Sequence, residues 1–220
     1  MAENAGFVGA KRPLLLLLLA GVLAPVLAWG LTVPVMLTWP GYDPIRQSIS
    51  LLANAPNGWL QALAFLISGG LGLAWAAGMG RVVGATARDR RLVWRLLAFQ
   101  GVVTILFAVF PTDAGARGTS LIGVLHLVNF AAYSISLPVT LLVVARVMGR
   151  DPRWQGWAGP TRATGWLVVV GMVLVPVTLY GPLLPWLGLL ERVYVAVPSA
   201  WELLVSVAAV RRVGRQPASR

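Results

Sequence analysis

The spacing of basic residues along the chain constrains its fold more than any other feature. Most of the 18 Lys and Arg residues fall in four clusters that alternate with long apolar runs. Because short loops rich in Lys and Arg stay on the cytoplasmic side of a membrane, the clusters predict six crossings of the cell membrane with both termini in the cytoplasm. The clusters are Lys11 and Arg12; Arg81, Arg88, Arg90, Arg91 and Arg95; Arg146, Arg150, Arg153 and Arg162; and Arg211, Arg212, Arg215 and Arg220.

The apolar runs are long enough to serve as membrane spans. A spanning helix needs about 20 mostly apolar residues, and 58% of this chain is hydrophobic while only 11% is charged. We read the first run as an uncleaved helix rather than a signal peptide, because it continues well past the usual length of a signal sequence. The sequence predicts an all-α integral membrane protein in which residues 1–220 form a single bundle, with spans near 14–36, 59–80, 92–110, 121–147, 165–187 and 193–210.

Charge and composition exclude several classes of function. The net charge of +11 would suggest nucleic acid in a soluble protein, but the membrane topology already accounts for it. We expect membrane lipids as partners, no nucleic acid, and a membrane-protein partner or a second copy as a further option. The chain has no Cys and its single His has no metal-ligand spacing around it, so we expect neither a metal nor another cofactor.

The connection between the first two spans has helical signals of its own. Asp43 followed by Pro44 is typical of a helix start, because the carboxylate can cap free N–H groups and proline suits the first helical position. The segment predicts a short interfacial helix from Asp43 to about Asn54, with its apolar side on the bundle. A structural plug and a lid over an opening both fit this pattern.

Polar residues at membrane depth are costly and usually face the interior of a bundle. His126 and Asn129 share a face of the fourth span with Tyr133, and Glu202 lies near the middle of the sixth. An unpaired carboxyl group at that depth loses its hydration, so it needs a partner. Tyr133, at a similar depth, is the partner we expect.

Charged residues also gather at the predicted outer side. They carry both signs, so they could bind a polar headgroup or join the outer loops by ion pairs. They are Asp43, Arg46, Asp113, Arg117, Glu191 and Arg192.

Three segments resemble a family of bacterial membrane proteins, the domain of unknown function 998 family. The segments are Tyr42 to Gly69 with its Ser48-Ile49-Ser50-Leu51 run, Phe110-Pro111-Thr112-Asp113 followed by Gly123 and His126, and Gly188-Leu189-Leu190-Glu191-Arg192 followed by Trp201. The resemblance covers about residues 14 to 210. It implies a bundle of six or seven helices and supplies no activity. It also falls on residues that the topology places near the outer side, which gives a candidate site of Tyr42, Arg46, Ser48, Ser50, Asp113, His126, Glu191, Arg192 and Trp201.

Three functions fit these residues. The first is binding or moving a lipid or other amphiphile at the outer half of the bundle, with Glu202 as a proton-carrying group if transport is coupled. The second is an enzyme acting on a lipid, with His126 as acid or base and Asp113 or Glu191 orienting it. The third is a scaffold or accessory subunit.

Overall fold

The computed structural model describes residues 2–114, 119–178 and 184–215, and within these ranges it contains helices and no strands. All six helices there are long and apolar enough to cross a membrane, which confirms the predicted fold class. Their bounds are α1 Ala2–Thr38, α2 Trp59–Val82, α3 Ala87–Val109, α4 Leu121–Arg150, α5 Gln155–Thr178 and α6 Leu187–Arg215. Arg117 and Arg220 lie outside the described residues.

The helices form a closed ring. Each packs on its neighbour in the sequence, and α6 returns to pack on α1. Large apolar side chains such as Leu16, Val128, Ile135 and Leu204 point away from the ring and are 57 to 68% exposed. Such outward faces are stable only in a solvent as apolar as lipid, because water would expel them.

Two ends of the ring can be distinguished by their connections. We call the end that carries the α1–α2 loop (residues 39–58) the capped end, and the end with the α2–α3 and α4–α5 connections the basic end. Most of the large core cluster lies toward the basic end, where buried side chains fill the ring. They include Met79, Val83, Val93, Leu141, Val144, Met148, Val205, Ala209 and Val213.

The basic end is closed by a network around Asp151. Its carboxylate accepts hydrogen bonds from the Gly84 backbone N–H at 3.1 Å and from Arg153, whose Nη2 lies 2.8 Å away. The Trp154 indole N–H donates to the Val82 carbonyl at 2.8 Å, and the Arg212 guanidinium lies 5.1 Å from the centre of the Trp154 ring. Hydrogen bonds from Arg153 hold the pKa of Asp151 below its usual range, and they raise the pKa of Arg153. The two connections are thereby fixed to each other.

The structure corrects the predicted bounds of the fifth and sixth helices. α5 begins at Gln155 rather than 165, and α6 begins at Leu187 rather than 193. Counting apolar residues misses these first turns, because a helix continues into the polar interface as long as its backbone hydrogen bonds are made. The predicted fifth helix also includes residues 179–183, which lie outside the described residues, and Leu184–Trp186, which form a 3-10 turn.

The predicted interfacial helix is also shorter than expected. Asp43 caps a single turn, accepting from the N–H groups of Ile45 and Arg46, but helix begins only at Ile49, as a 3-10 helix to Asn54 capped by the Ser48 hydroxyl. The reason is tertiary: the Gln47 and Ser48 carbonyls accept hydrogen bonds from side chains in and beyond the loop. Their orientation no longer suits a continuous helix.

Candidate functional site

Beneath the α1–α2 loop the ring encloses a cavity of about 180 Å³. Five helices line it, α1, α2, α3, α4 and α6, and two residues of the 3-10 helix, Ile49 and Ser50, lie at its capped end. It extends inward to Trp75, Leu141 and Glu202 in the middle of the bundle. The bundle is therefore hollow between its capped end and its centre and solid toward the basic end.

Aromatic rings make up much of the wall. Trp75 and Trp201 meet edge to face with ring centres 5.8 Å apart, and Tyr133 meets Phe107 at 5.8 Å and Tyr194 at 6.3 Å in the same geometry. The Trp201 indole N–H donates to the Thr161 hydroxyl at 2.9 Å, which fixes this ring against α5. The eight aromatic lining residues are Trp29, Phe65, Trp75, Phe107, Phe130, Tyr133, Tyr194 and Trp201.

Several polar groups face this apolar space. Gln61 is 2% exposed, and its side-chain amide makes no hydrogen bond with any described residue. The Trp75 indole nitrogen and the Gln100 amide oxygen are likewise buried without a partner among the described residues. Because a buried polar atom without a partner costs about 1–3 kcal/mol, these atoms mark where a bound molecule or water would be stabilised.

Two carboxyl groups lie at opposite ends of the cavity. Glu191 at the capped end accepts a hydrogen bond from the Ile49 backbone N–H at 2.8 Å. Glu202 lies toward the centre of the bundle and has no hydrogen bond or ion pair with any described residue. Tyr133, the partner we expected for it, lines the same cavity and interacts with it electrostatically, but no hydrogen bond joins the two.

Arg192 fastens the α1–α2 loop over this cavity. Its Nη1 donates to the carbonyls of Pro44, Gln47 and Gly188 at 2.6 to 3.0 Å, and its Nη2 donates to the Tyr42 hydroxyl at 2.5 Å. A side chain at Gly188 would collide with the Pro44 and Gln47 carbonyls, so glycine permits this close approach.

Tyr42 continues the same chain of hydrogen bonds. Its hydroxyl donates to the Ser48 carbonyl at 2.7 Å. Burial raises the pKa of this phenol, although the neighbouring Arg192 acts in the opposite direction. The neutral hydroxyl therefore both accepts from Arg192 and donates to the loop.

Asp113 and His126 form a separate cluster at the capped end. Asp113 accepts from the Ser120 N–H at 2.9 Å and from the Ser120 hydroxyl at 2.5 Å, and these bonds hold its pKa below the usual range. The His126 Nδ1 lies 2.8 Å from the Phe110 carbonyl oxygen. Neither residue is among those that line the cavity.

The remaining predicted residues are distributed around these two groups. Ser50 and Trp201 line the cavity, while Ser48 caps the 3-10 helix. Asn129 donates to the Val103 carbonyl at 2.9 Å and so joins α4 to α3. Arg46 is largely exposed and lies 3.5 Å from Asp43. Among the described residues, no three His, Asp or Glu side chains are close enough together to hold a metal ion.

Sequence reasoning missed the uncharged polar residues of the cavity. Gln61 and Gln100 both lie in apolar runs, and amide side chains at such positions are a signal of an interior face that we had sought only among ionisable groups and their neighbours. Gln100 also joins α3 to α4 through the hydroxyls of Ser136 and Thr140, at 3.0 and 3.1 Å. It is thus both a structural and a lining residue.

Fold and site together define a multi-pass membrane protein with a closed helical ring and an internal, aromatic-walled cavity. The chain belongs to the family described as Protein of unknown function (DUF998), whose model matches residues 22–208. This confirms the resemblance seen in the sequence. Neither the curated proteins nor the solved structures gave a match.

Proposed function

We propose that this protein binds a small amphiphilic molecule inside the cavity beneath the α1–α2 loop. The observation that carries the proposal is the combination of an apolar, aromatic-walled space with buried polar atoms that have no partner among the described residues. Ligand pockets have this composition, a mostly apolar lining with a few polar groups that fix orientation. The molecule would enter from the lipid or from the aqueous side of the capped end.

The arrangement of the loop supports binding at that end. Arg192, Tyr42 and Glu191 hold the loop by hydrogen bonds to neutral backbone groups, which must be broken if the loop moves aside. In this proposal the loop acts as a lid, and Arg192 and Glu191 act on the lid rather than on a headgroup. This assigns the candidate residues of the sequence to lid and lining.

A pair of matched variants tests the proposal. Ala28 lines the cavity on α1, whereas Ala131 faces outward on α4. We expect native mass spectrometry of the gently purified protein to show bound amphiphile in the unmodified chain and in Ala131→Phe, and a marked loss in Ala28→Phe because the ring fills the cavity. Equal occupancy in both variants, or no adduct in any sample, would contradict the proposal.

We further propose that the capped end faces outward from the cell membrane, with both termini in the cytoplasm. Arginine asymmetry between the two ends supports this orientation. The chain has no Cys, so single cysteines can be introduced cleanly. A membrane-impermeant maleimide added to intact cells should label Thr119→Cys and leave Ala85→Cys unlabelled, and the reverse pattern would refute the orientation.

The enzymatic alternative receives less support from the contacts. A general acid or base must reach its substrate within hydrogen-bonding distance, but His126 and Asp113 lie outside the lining of the cavity while Glu191 lies within it. The scaffold alternative predicts an empty cavity whose filling has no consequence. The Ala28→Phe comparison separates it from ligand binding.

A further inference from the structure

The charges that face the cavity all have one sign. Glu191 and Glu202 are the acidic residues of its lining, and no Lys, Arg or His is among the described residues that line it. This contrasts with the whole chain, in which Lys and Arg outnumber Asp and Glu by 18 to 7. The excess of positive charge is thus kept out of the one large internal space.

Glu202 is the group whose surroundings are most unusual. It lies within a membrane-spanning helix, and no described residue donates a hydrogen bond to it or pairs with its charge. It still has accessible surface, because its carboxyl end faces the cavity. A partner for this group can therefore come from a molecule in the cavity.

The uncharged acceptors of the lining have the same requirement. The Gln100 amide oxygen is buried without a donor among the described residues, although its amide nitrogen is bound to Ser136 and Thr140. The Gln61 amide has no partner of any kind there, and its oxygen is buried. Both need a donor such as a hydroxyl or an N–H group.

The aromatic walls suit a cation as well. The face of an aromatic ring carries partial negative charge, so it attracts ammonium groups, and aromatic cages recognise quaternary ammonium ligands in this way. Eight aromatic side chains line this cavity together with the two carboxyl groups. An anionic headgroup would meet repulsion from the same surfaces.

From these contacts we propose that the ligand is an organic cation, an ammonium group with small apolar substituents and a hydroxyl or N–H donor. The ammonium centre lies among the aromatic rings beside Glu202, and the donor reaches Gln61 or Gln100. The inference rests on the proposed binding function and specifies its chemical class. A volume of about 180 Å³ restricts the ligand to a small molecule or to the headgroup end of a larger one.

Choline and 3,3-dimethylbutan-1-ol form a probe pair that isolates the charge. They have the same shape and hydroxyl group, and differ in a quaternary nitrogen against a quaternary carbon. We expect calorimetric titration of the full-length protein in lipid nanodiscs to show choline binding about tenfold or more tighter than the alcohol, as cation–aromatic and charge contacts in a desolvated site predict. Equal binding of the two probes, or no binding of either, would overturn the inference.

Variants then assign the preference to its residue. Glu202→Gln keeps the shape of the side chain and should remove most of the preference for choline, whereas Asp113→Asn, outside the cavity, should leave it intact. Should Glu202→Gln fail to fold, Glu202→Asp keeps the charge and is expected to retain the preference. Persistence of the full preference in Glu202→Gln would refute the role of Glu202.

The two proposals can fail separately. If Ala28→Phe abolishes amphiphile binding in the mass spectra but choline and its isostere bind alike, the cavity binds a ligand that is not selected by charge. If Ala28→Phe changes nothing, ligand binding itself is refuted.

Discussion

The two ends of the helical ring both fasten a connection with an arginine and a carboxylate, but they do so in different ways. At the basic end Arg153 and Asp151 bind each other directly, and Asp151 is 1% exposed. At the capped end Arg192 binds three backbone carbonyls and a tyrosine hydroxyl, while Glu191 accepts from a backbone N–H. One end joins connections through an ion pair, and the other holds a loop through neutral groups.

The packing beneath each network follows the same division. Core side chains fill the ring under the basic end, whereas the cavity lies under the loop of the capped end. Only a small separate cluster, Val35, Leu52 and Ala55, anchors the loop by apolar contacts within the described residues. We conclude that the basic end supplies stability and that the capped end can open with less loss of buried surface.

The largest effect is expected from Asp151→Ala. The substitution leaves the Gly84 N–H and the Arg153 guanidinium without their acceptor, and a lost buried carboxylate of this kind lowers the free energy of unfolding by about 2–3 kcal/mol. Titration with sodium dodecyl sulfate in mixed micelles measures the change. Asp89→Ala, at an exposed helix cap on the same end, is the control and should cost less. Equal losses would show that the network does not dominate the basic end.

The same carboxylate predicts a dependence on pH. Since the folded-state pKa of Asp151 is lowered, its contribution is fully present above the pKa of the unfolded chain, about 3.9, and is lost as the pH falls through the folded-state value. Thermal melting at decreasing pH should show a decline that Asp151→Asn reduces. A decline of the same size in Asp151→Asn would assign it to other groups.

A pair of glycines compares the two ends next. Gly84 at the basic end has φ of +114° and an added Cβ would lie 2.8 Å from the Asp89 Cβ, whereas Gly41 at the capped end has φ of +77° and open space around it. Backbone strain of this kind costs about 1–3 kcal/mol. We expect Gly84→Ala to lose more unfolding free energy, about 2 kcal/mol, than Gly41→Ala, about 1 kcal/mol. The opposite order would show that the capped end tolerates less change.

Exchange of each arginine for lysine tests opening of the loop. A lysine cannot reproduce the planar fork with which Arg192 reaches three carbonyls and Tyr42, so Arg192→Lys should cost about 1 kcal/mol and loosen the loop. A cysteine at Ser199, which lines the cavity, should then react faster with a small thiol reagent. Arg153→Lys is the matched control and should leave that rate unchanged. Equal rates in both would separate Arg192 from access to the cavity.

The smallest effect is expected at Arg46. Its ion pair with Asp43 spans 3.5 Å, and the two side chains are 72% and 45% exposed. Exposed pairs contribute about 0–1 kcal/mol, so Arg46→Ala should change the melting temperature by less than any variant above. A loss comparable with that of Arg192→Lys would mean that Arg46 has a contact of another kind.

The sequence was most informative about elements whose signals are local. The six spans, the capping role of Asp43 and the interior position of Tyr133 and Glu202 all follow from hydropathy and helical spacing, and the structure has them. The predicted grouping of His126 and Asp113 with Glu191 followed from their shared end of the bundle. That information cannot tell a cavity wall from a loop contact, and the structure puts only Glu191 on the cavity.

By itself, then, the sequence determined a six-helix membrane protein and the alternation of basic and apolar segments, because the cost of exposing apolar side chains to water or charge to lipid acts on each segment separately. Tertiary structure alone decided that α6 closes the ring on α1, that the Gln47 carbonyl turns toward Arg192 instead of extending a helix, and that a cavity remains beneath the loop. These features depend on side chains 145 or more residues apart meeting in space, and no local pattern records such a meeting.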